Sequence, residues 1–175
     1  PLYSSAASDV YKRQNELQDI GVLANCDVNI IQLQDNVSYG SYQTELTYLT
    51  TNKERLDYMS TIIKRFSESG NTLVLVDRIK AGEGLLERLG EGTVFVSGSM
   101  KSKNRKTEYD EISEVNNKII IATYGVAAVG INIPRIFNLV LIEPCKSFFR
   151  VILSIGRGIR KAQDKDHVLI WDITS

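Results

Sequence analysis

The feature that most constrains the fold is a regular alternation of short apolar runs and amphipathic segments from Asn71 to the C-terminus. The apolar runs are Thr72–Val76, Thr93–Val96, Lys118–Thr123, Asn138–Ile142 and His167–Trp171. Runs that are apolar throughout are typical of strands covered on both faces. The segments with helical patterns are Ala81–Leu89, Ser102–Val115 and Phe148–Lys161. This alternation predicts a three-layer α/β fold, in which right-handed crossovers build a parallel sheet flanked by helices.

Upstream of this region the sequence predicts one more helix and one more strand. The segment Asn52–Phe66 carries an apolar stripe at helical spacing, formed by Leu56, Met59, Ile62, Ile63 and Phe66. Such a stripe predicts a helix that covers one face of the sheet. Val28–Leu33 has the pattern of an entry strand, and Asp35–Tyr42 that of a loop. We therefore expect an entry strand and connecting loop over residues 15–50, and the α/β domain over residues 51–175.

The first fourteen residues, Pro1–Gln14, differ from the rest of the chain. The segment Ser4–Gln14 resembles a translated adapter or assembly scar, and it lacks the apolar stretch of a signal peptide. We therefore expect residues 1–14 to be a non-native or disordered leader. If this segment is a scar, the natural protein continues upstream and the present chain is a fragment.

Charge and cysteine content exclude several classes of function. The 21 Lys and Arg residues balance the 21 Asp and Glu residues, so a polyanion must be bound by a local patch rather than by a global field. Cys26, Cys145 and His167 lie too far apart in sequence to form a typical zinc-ligand pattern, so we expect no metal site. No apolar run approaches the roughly 18 residues of a membrane-spanning helix. We expect a protein of the reducing cytoplasm.

Two arginines near the C-terminus carry the strongest chemical signal. The segment Gly156–Arg160 reads Gly-Arg-Gly-Ile-Arg, and its arginines share one side if it is helical. A guanidinium keeps its charge in proteins, and its planar fork suits phosphate oxygens. Because Gly158 would weaken a helix interior by about 1 kcal/mol relative to alanine, we expect the regular helix to begin after the glycines. The arginines would then lie near its first turn.

A second candidate site is the basic segment Gly98–Lys106, which contains Lys101 and Arg105. The small residues Gly98 and Ser99 could open a helix whose free N–H groups favour an anion. The basic side chains could then follow the backbone of a nucleic-acid strand. A solvated helix face is the alternative, because acidic residues follow this segment directly.

These segments occur in the order of motifs IV, IVa, V and VI of superfamily-2 helicases. Motif IV corresponds to Leu73–Val76, motif IVa to Val96–Ser99, motif V to Ala122–Pro134 and motif VI to Gly156–Arg160. Over residues 15–175 the chain resembles the second RecA-like domain of these enzymes, and it is most similar to the UvsW-type phage DNA helicases. The resemblance implies an ATP-dependent DNA helicase or translocase of a bacterial or phage-infected cell, with a role in recombination and repair.

The resemblance also assigns roles to individual residues. Arg157 and Arg160 would be catalytic arginine fingers. The nucleotide would contact Gly130, Asn132 and Gly156 besides the two arginines. The residues that would bind DNA, with RNA as the alternative, are Asp77, Arg78, Gly98, Ser99, Lys101, Arg105, Thr123, Tyr124 and Gly125. In particular, Thr123 could donate its hydroxyl to a phosphate, and Gly125 and Gly130 would allow backbone conformations and close approaches that a Cβ blocks.

The chain departs from the family pattern at two positions. Leu153 stands where motif VI usually has Gln or His, so a polar link toward the nucleotide or a partner domain is missing. Asn132 stands where Asp is frequent, which leaves hydrogen bonding but removes ionic coupling.

A triphosphate-binding loop of the form GxxxxGK[ST] and an acidic pair after an apolar strand are both absent from the sequence. The resemblance places these elements, and the Mg²⁺ that accompanies ATP, on a preceding N-terminal RecA-like domain. We therefore expect that this chain alone hydrolyses no ATP.

Two other interpretations remain open. The first is a stand-alone interaction module for nucleic acid or protein, which kept the helicase fold and lost the motor; Leu153 and Asn132 favour it. The second is a different nucleotide-binding α/β enzyme, such as a transferase. That enzyme would need a glycine-rich phosphate loop after its first strand, and Asp35–Gly40 is a poor one.

Overall fold

The computed structural model describes residues 15–23, 26–32, 53–96, 118–129, 136–142, 149–161 and 168–174. Within these ranges six strands form one parallel sheet. They are β1 (Asp27–Gln32), β2 (Asn71–Val76), β3 (Thr93–Val96), β4 (Ile119–Thr123), β5 (Ile136–Ile142) and β6 (Leu169–Thr174). The sheet order is β1-β6-β5-β2-β4-β3, and every pair is parallel. The predicted parallel α/β sheet is therefore confirmed.

Helices cover both faces of the sheet. The described helices are α1 (residues 15–23), α2 (Lys53–Ser67), α3 (Ile79–Leu89), α4 (Tyr124–Val129) and α5 (Phe149–Lys161). Buried side chains of α1, α4 and α5 form one core cluster with the sheet, and those of α2 and α3 form another. The predicted helix over Ser102–Val115, the leader and the loop Asp35–Tyr42 lie outside the described residues.

The central strand β2 shows how the sheet separates the two cores. All six of its residues are buried. Leu73 and Leu75 belong to the core of α1, α4 and α5, whereas Val74 and Val76 belong to the core of α2 and α3. Since side chains alternate between the faces of a strand, only a continuous apolar run can supply both cores.

Helix α2 confirms the stripe that the sequence predicts. Leu56, Met59 and Ile63 are buried, and Ile62 and Phe66 pack partly buried beside them. Its outer side makes an ion pair with α3.

That ion pair joins Arg88 to Asp57: the Arg88 Nε donates to the Asp57 Oδ1 at 2.6 Å. Because the Asp57 side chain is 68% exposed, we assign this pair little stability.

Helix α1 differs from the prediction, which placed residues 15–50 in an entry strand and a connecting loop. Residues 15–23 are helical, and Leu17 and Ile20 are buried at 2% and 1% exposure. The segment has four apolar residues, but Val22 and Leu23 at its end are exposed, and the remaining two give too little periodicity in nine residues to predict a helix. Packing against the sheet therefore decides the conformation here.

A buried polar cluster joins elements near the start of β2 and β5. We call Asn138, Phe66, Ser69 and Trp171 the Asn138 cluster. The Asn138 amide Nδ2 donates to the Phe66 carbonyl at 2.9 Å and to the Ser69 Oγ at 3.1 Å, and its Oδ1 accepts from the Trp171 Nε1 at 3.3 Å. The Trp171 ring stacks on Phe66 with centroids 4.1 Å apart. The structural role expected for Trp171 is confirmed, while His167 lies outside the described residues.

Candidate functional site

Two segments with predicted contacts to nucleic acid follow neighbouring strands at the carboxyl edge of the sheet. Val76 at the end of β2 pairs with Thr123 at the end of β4. Because the strands are parallel, Asp77 and Arg78 leave the sheet at the same edge as Tyr124 and Gly125. The fold thus brings the end of motif IV and the start of motif V together.

Arg78 directly precedes α3 in an extended conformation, with φ −113° and ψ 139°. Its carbonyl accepts the Gly82 N–H at 3.3 Å, and no side chain forms a hydrogen bond that caps the start of α3 among the described residues. Asp77 and Arg78 are both half-buried. Residues just before a helix of this kind are in a position to meet an anion together with the first helical N–H groups.

Thr123 ends β4 and caps the short helix α4. Its Oγ1 accepts the Val126 N–H at 3.4 Å, and the side chain is half-buried. A hydroxyl that accepts from the backbone still carries its own proton, so Thr123 can donate a hydrogen bond to an external anion. Sequence reasoning did not single out Val126, although a threonine three residues before a backbone N–H at a strand–helix junction is a typical capping pattern.

Gly125 lies on the exposed side of α4. A Cβ built at this position would meet nothing within 4 Å, and the positive-φ glycines of the described chain do not include it. The part of the prediction that required glycine for the backbone conformation is therefore wrong for Gly125. The absence of a side chain leaves open space beside α4 at this position.

Tyr124 differs from its neighbours, because its side chain is 1% exposed and belongs to the core of α1, α4 and α5. Its ring therefore serves packing. If this residue contacts nucleic acid, it does so through its backbone.

We define the strand-end surface as Asp77, Arg78, Thr123 and Gly125.

Helix α5 corrects the prediction for the arginine segment. It runs from Phe149 to Lys161 and passes through Gly156 and Gly158, whereas we expected the regular helix to begin after the glycines. The arginines consequently lie in its last two turns. Two buried side chains, Ile152 at 3% and Ile155 at 7% exposure, anchor α5 to the core, and this packing outweighs the unfavourable helix propensity of glycine.

Arg157 projects from the anchored helix. Its side chain is exposed, while the preceding Gly156 is buried. No ion pair or hydrogen bond joins its guanidinium to another residue in the described ranges. Arg160 lies on the same helix, but its side chain is outside the described part. Helix α5 contacts α4, which begins directly after Thr123.

Leu153, one turn before Arg157, is half-buried and packs against the same core as Ile152. Leucine at this position therefore contributes to the anchoring of α5. The structure gives a packing reason for its departure from the family pattern.

Six of the predicted site residues lie outside the described residues: Gly98, Ser99, Lys101, Arg105, Gly130 and Asn132. Within the described ranges no three His, Cys, Asp or Glu side chains form a group that could hold a metal ion. No helix in these ranges is long and apolar enough to cross a membrane.

Comparison with known proteins relates this arrangement to a family. The model of the helicase conserved C-terminal domain matches residues 54–162. The chain is 26% identical over 137 residues to the ATP-dependent DNA helicase uvsW of Enterobacteria phage T4, covering 76% of this chain and 27% of the relative. It is 27% identical over 135 residues to the putative helicase 22 of a Sulfolobus islandicus filamentous virus, covering 66% of this chain and 24% of that protein. The chain thus spans about a quarter of the length of the curated relatives it matches.

Solved structures show the same fold. The crystal structure of T4 UvsW superposes with a TM-score of 0.73 at 23% identity, covering 86% of this chain and 32% of that one. The helicase Lhr of Mycobacterium smegmatis, solved with ssDNA and AMP-PNP, superposes with a TM-score of 0.58 at 15% identity, covering 85% of this chain and 19% of that one.

Proposed function

The chain belongs to the family of helicase conserved C-terminal domains, and from this premise we propose that it is the second motor domain of an ATP-dependent DNA helicase or translocase. It would be completed by an N-terminal RecA-like domain, which the sequence resemblance implies. The observation that carries this proposal is Arg157, an exposed guanidinium on a helix that is anchored to the core.

The arginines are proposed to act on ATP held by the other domain. ATP supplies the phosphoryl group that is transferred, and charge spreads over its oxygens during transfer. Arg157 and Arg160 would donate hydrogen bonds to these oxygens, with Gly130, Asn132 and Gly156 beside the nucleotide. An arginine supplied by a second domain typically accelerates such a reaction by about 10³–10⁵. Following the sequence resemblance, we place the Mg²⁺ that accompanies ATP on the N-terminal domain.

The strand-end surface is proposed to hold the backbone of one DNA strand. The hydroxyl proton of Thr123 is available to a phosphate oxygen, and Arg78 adds positive charge beside the first turn of α3. The open space at Gly125 would admit the strand closely. We include Gly98, Ser99, Lys101 and Arg105 on the strength of the sequence resemblance. The UvsW relative favours DNA over RNA as the substrate.

ATP turnover tests the nucleotide part of the proposal. The purified 175-residue chain should hydrolyse no ATP, whereas the polypeptide extended upstream through its N-terminal domain should show DNA-stimulated hydrolysis. Within that longer protein, Arg160→Ala should largely preserve ATP affinity and lower kcat by a factor of about 10³ or more. An unchanged kcat would remove Arg160 from the catalytic role.

A matched pair at Thr123 tests the DNA part. Thr123→Val removes the hydroxyl at nearly constant shape, and Thr123→Ser keeps it. Since a hydrogen bond to a charged group contributes about 1.5–3 kcal/mol, we expect Val to weaken DNA binding at least about tenfold, and Ser to leave it within about twofold. Equal affinities of the two variants in a fluorescence-anisotropy titration would exclude a hydroxyl contact.

A second candidate function, a non-catalytic interaction module, is favoured by Leu153. This residue packs against the core and offers no polar link at a position where the family usually has one. The upstream reading frame separates the two functions. A phosphate-loop lysine and an acidic motif there would establish the motor, and their absence would favour the module.

A further inference from the structure

The exposed apolar side chains of the described residues are unevenly distributed. Five large apolar side chains are exposed in these ranges, and three of them belong to α1 and β1: Val22 at 81%, Leu23 at 53% and Ile30 at 37% exposure. The other two, Tyr58 and Ile79, lie on α2 and α3, which cover the opposite face of the sheet. We call Val22, Leu23 and Ile30 the α1–β1 surface. Apolar side chains that are grouped in this way mark an interaction surface, whereas scattered single ones do not.

The α1–β1 surface lies on one face of the sheet, at one of its borders. Strand β1 is at the end of the sheet order, and Ile30 is on the same face as Val28, two residues before it. Val28 packs against the core of α1, α4 and α5, and a Cβ added at Gly21 of α1 would lie 3.0 Å from its Cγ2. The Cys26 N–H donates to the Gly21 carbonyl at 2.8 Å. The end of α1 therefore lies beside the start of β1.

Arg157 belongs to the same face. Helix α5, which carries it, buries Ile152 and Ile155 in the core that α1 also forms. A domain that presents a nucleotide to Arg157 must therefore approach the face of α1 and α5. The chain covers only 27% and 24% of the length of its curated helicase relatives, so most of such a protein lies outside it. In chain order α1 is the first described element, and an upstream domain is joined to the sheet through it.

We propose that the α1–β1 surface is a docking surface for the N-terminal RecA-like domain of the same protein, and that this domain covers it when the two domains close on ATP. This inference rests on the proposed function. Burial of the three apolar side chains would favour the closed arrangement without any contact to the nucleotide. It would also hold the N-terminal domain against the face that presents Arg157.

Thiol labelling tests the docking surface directly. Val22→Cys places a thiol at the most exposed of its three positions, and Tyr58→Cys is the matched control, because Tyr58 is 54% exposed on the opposite face. The native Cys26 is buried, and mass spectrometry of peptides separates the new thiols from Cys145. Both new thiols should react readily in the 175-residue chain.

The same labelling in the polypeptide extended upstream through its N-terminal domain, with a non-hydrolysable ATP analogue, gives the decisive comparison. Val22→Cys should react at least about tenfold more slowly than in the 175-residue chain, since a surface that is covered for nine-tenths of the time reacts at about a tenth of its free rate. Tyr58→Cys should keep its rate within about twofold.

A charge on the docking surface tests its consequence for turnover. An aspartate that must be desolvated on docking opposes closure, so Val22→Asp should lower kcat of the extended polypeptide at least about fivefold. Tyr58→Asp, on the opposite face, should keep kcat within about twofold.

Three labelling results would overturn the proposal. Equal rates for Val22→Cys in the two polypeptides would show that the N-terminal domain does not cover the surface. Slow labelling in the 175-residue chain would mean that the chain covers the surface itself, and a rate that falls as the concentration of that chain rises would identify a second copy as the partner. Failure of the proposed function has a different signature: Arg157→Ala leaves kcat unchanged while Val22→Cys stays protected in the extended polypeptide.

Discussion

The two ends of the central strands use their polar side chains in opposite ways. Near the amino ends of β2 and β5, the Asn138 Nδ2 donates to the Phe66 carbonyl and the Ser69 hydroxyl, and its Oδ1 accepts from the Trp171 indole. At the carboxyl edge, Thr123 accepts a single backbone N–H at 3.4 Å, and a Cβ added at Gly125 would find open space.

This difference indicates that the amino ends of the central strands serve stability, whereas their carboxyl ends are available for binding. Buried polar groups that bond within the chain fix the packing of α2 against β5 and β6. At the other edge, the Thr123 hydroxyl accepts one backbone N–H and keeps its own proton for donation. Substitutions in the Asn138 cluster should therefore change unfolding, whereas substitutions on the strand-end surface should change binding.

The largest expected effect on stability is that of Asn138→Ala. This change removes the acceptor of the Trp171 Nε1 and one of the three donors to the Phe66 carbonyl, which keeps the Ser69 N–H and hydroxyl, and it creates a cavity beside a buried strand. We expect a loss of about 3 kcal/mol in the free energy of unfolding, measured by urea denaturation. The control Thr61→Ala removes an exposed hydroxyl that bonds one turn back on α2, and it should cost less than about 0.5 kcal/mol. A loss for Asn138→Ala as small as that of the control would contradict the structural role assigned to the amino ends of the central strands.

The variants Gly70→Ala and Gly125→Ala should differ in their free energy of unfolding, by less than the loss expected for Asn138→Ala. Gly70, in the turn before β2, has φ +155°, and an added Cβ would overlap the Phe137 ring and lie 3.0 Å from its Cβ. We expect Gly70→Ala to destabilise the chain by about 2 kcal/mol. Gly125→Ala should not destabilise it, because the Cβ meets no neighbour and helix propensity rises.

DNA binding completes this contrast. Gly125→Ala should weaken binding although the fold is intact, because the new methyl group occupies the space offered to the strand. If Gly125→Ala instead lowers the free energy of unfolding as much as Gly70→Ala, the carboxyl edge is as tightly packed as the amino edge.

A small effect is expected for Arg88→Ala, which breaks the ion pair with Asp57 and the hydrogen bond from the Arg88 Nη1 to the Gly84 carbonyl. The Asp57 carboxylate is 68% exposed and the Arg88 side chain 19%, so urea denaturation should show a loss of about 1 kcal/mol. A loss above about 2 kcal/mol would mean that the contact between α2 and α3 contributes about as much to the free energy of unfolding as the Asn138 cluster does.

Most of the fold was predictable because local patterns determine it. The buried strands and the stripe of α2 follow from continuous apolar runs and helical spacing. The contacts of Asn138 gave no local signal, since its partner Phe66 lies 72 residues away in sequence. For the same reason the course of α5 through its glycines was predicted wrongly, because burial of Ile152 and Ile155 by distant elements decides it.

The candidate site was predictable only in part. Motif order places the strand-end surface at the ends of neighbouring strands, and the parallel pairing of Val76 with Thr123 agrees with that placement. Residue type alone did not show that the Tyr124 ring is buried, since tyrosine serves both packing and base stacking. Nor did it show that Arg157 is exposed.

The most direct test of the central claim is the ATP turnover of the Arg157→Ala variant, measured beside Arg88→Ala in the protein extended through its proposed N-terminal domain. Both changes remove one guanidinium, but only Arg157 belongs to the proposed nucleotide site. We expect Arg157→Ala to lower kcat by a factor of about 10² or more with unchanged free energy of unfolding, and Arg88→Ala to keep kcat within twofold of the parent. Equal turnover of the two variants would contradict the assignment of α5 to ATP hydrolysis.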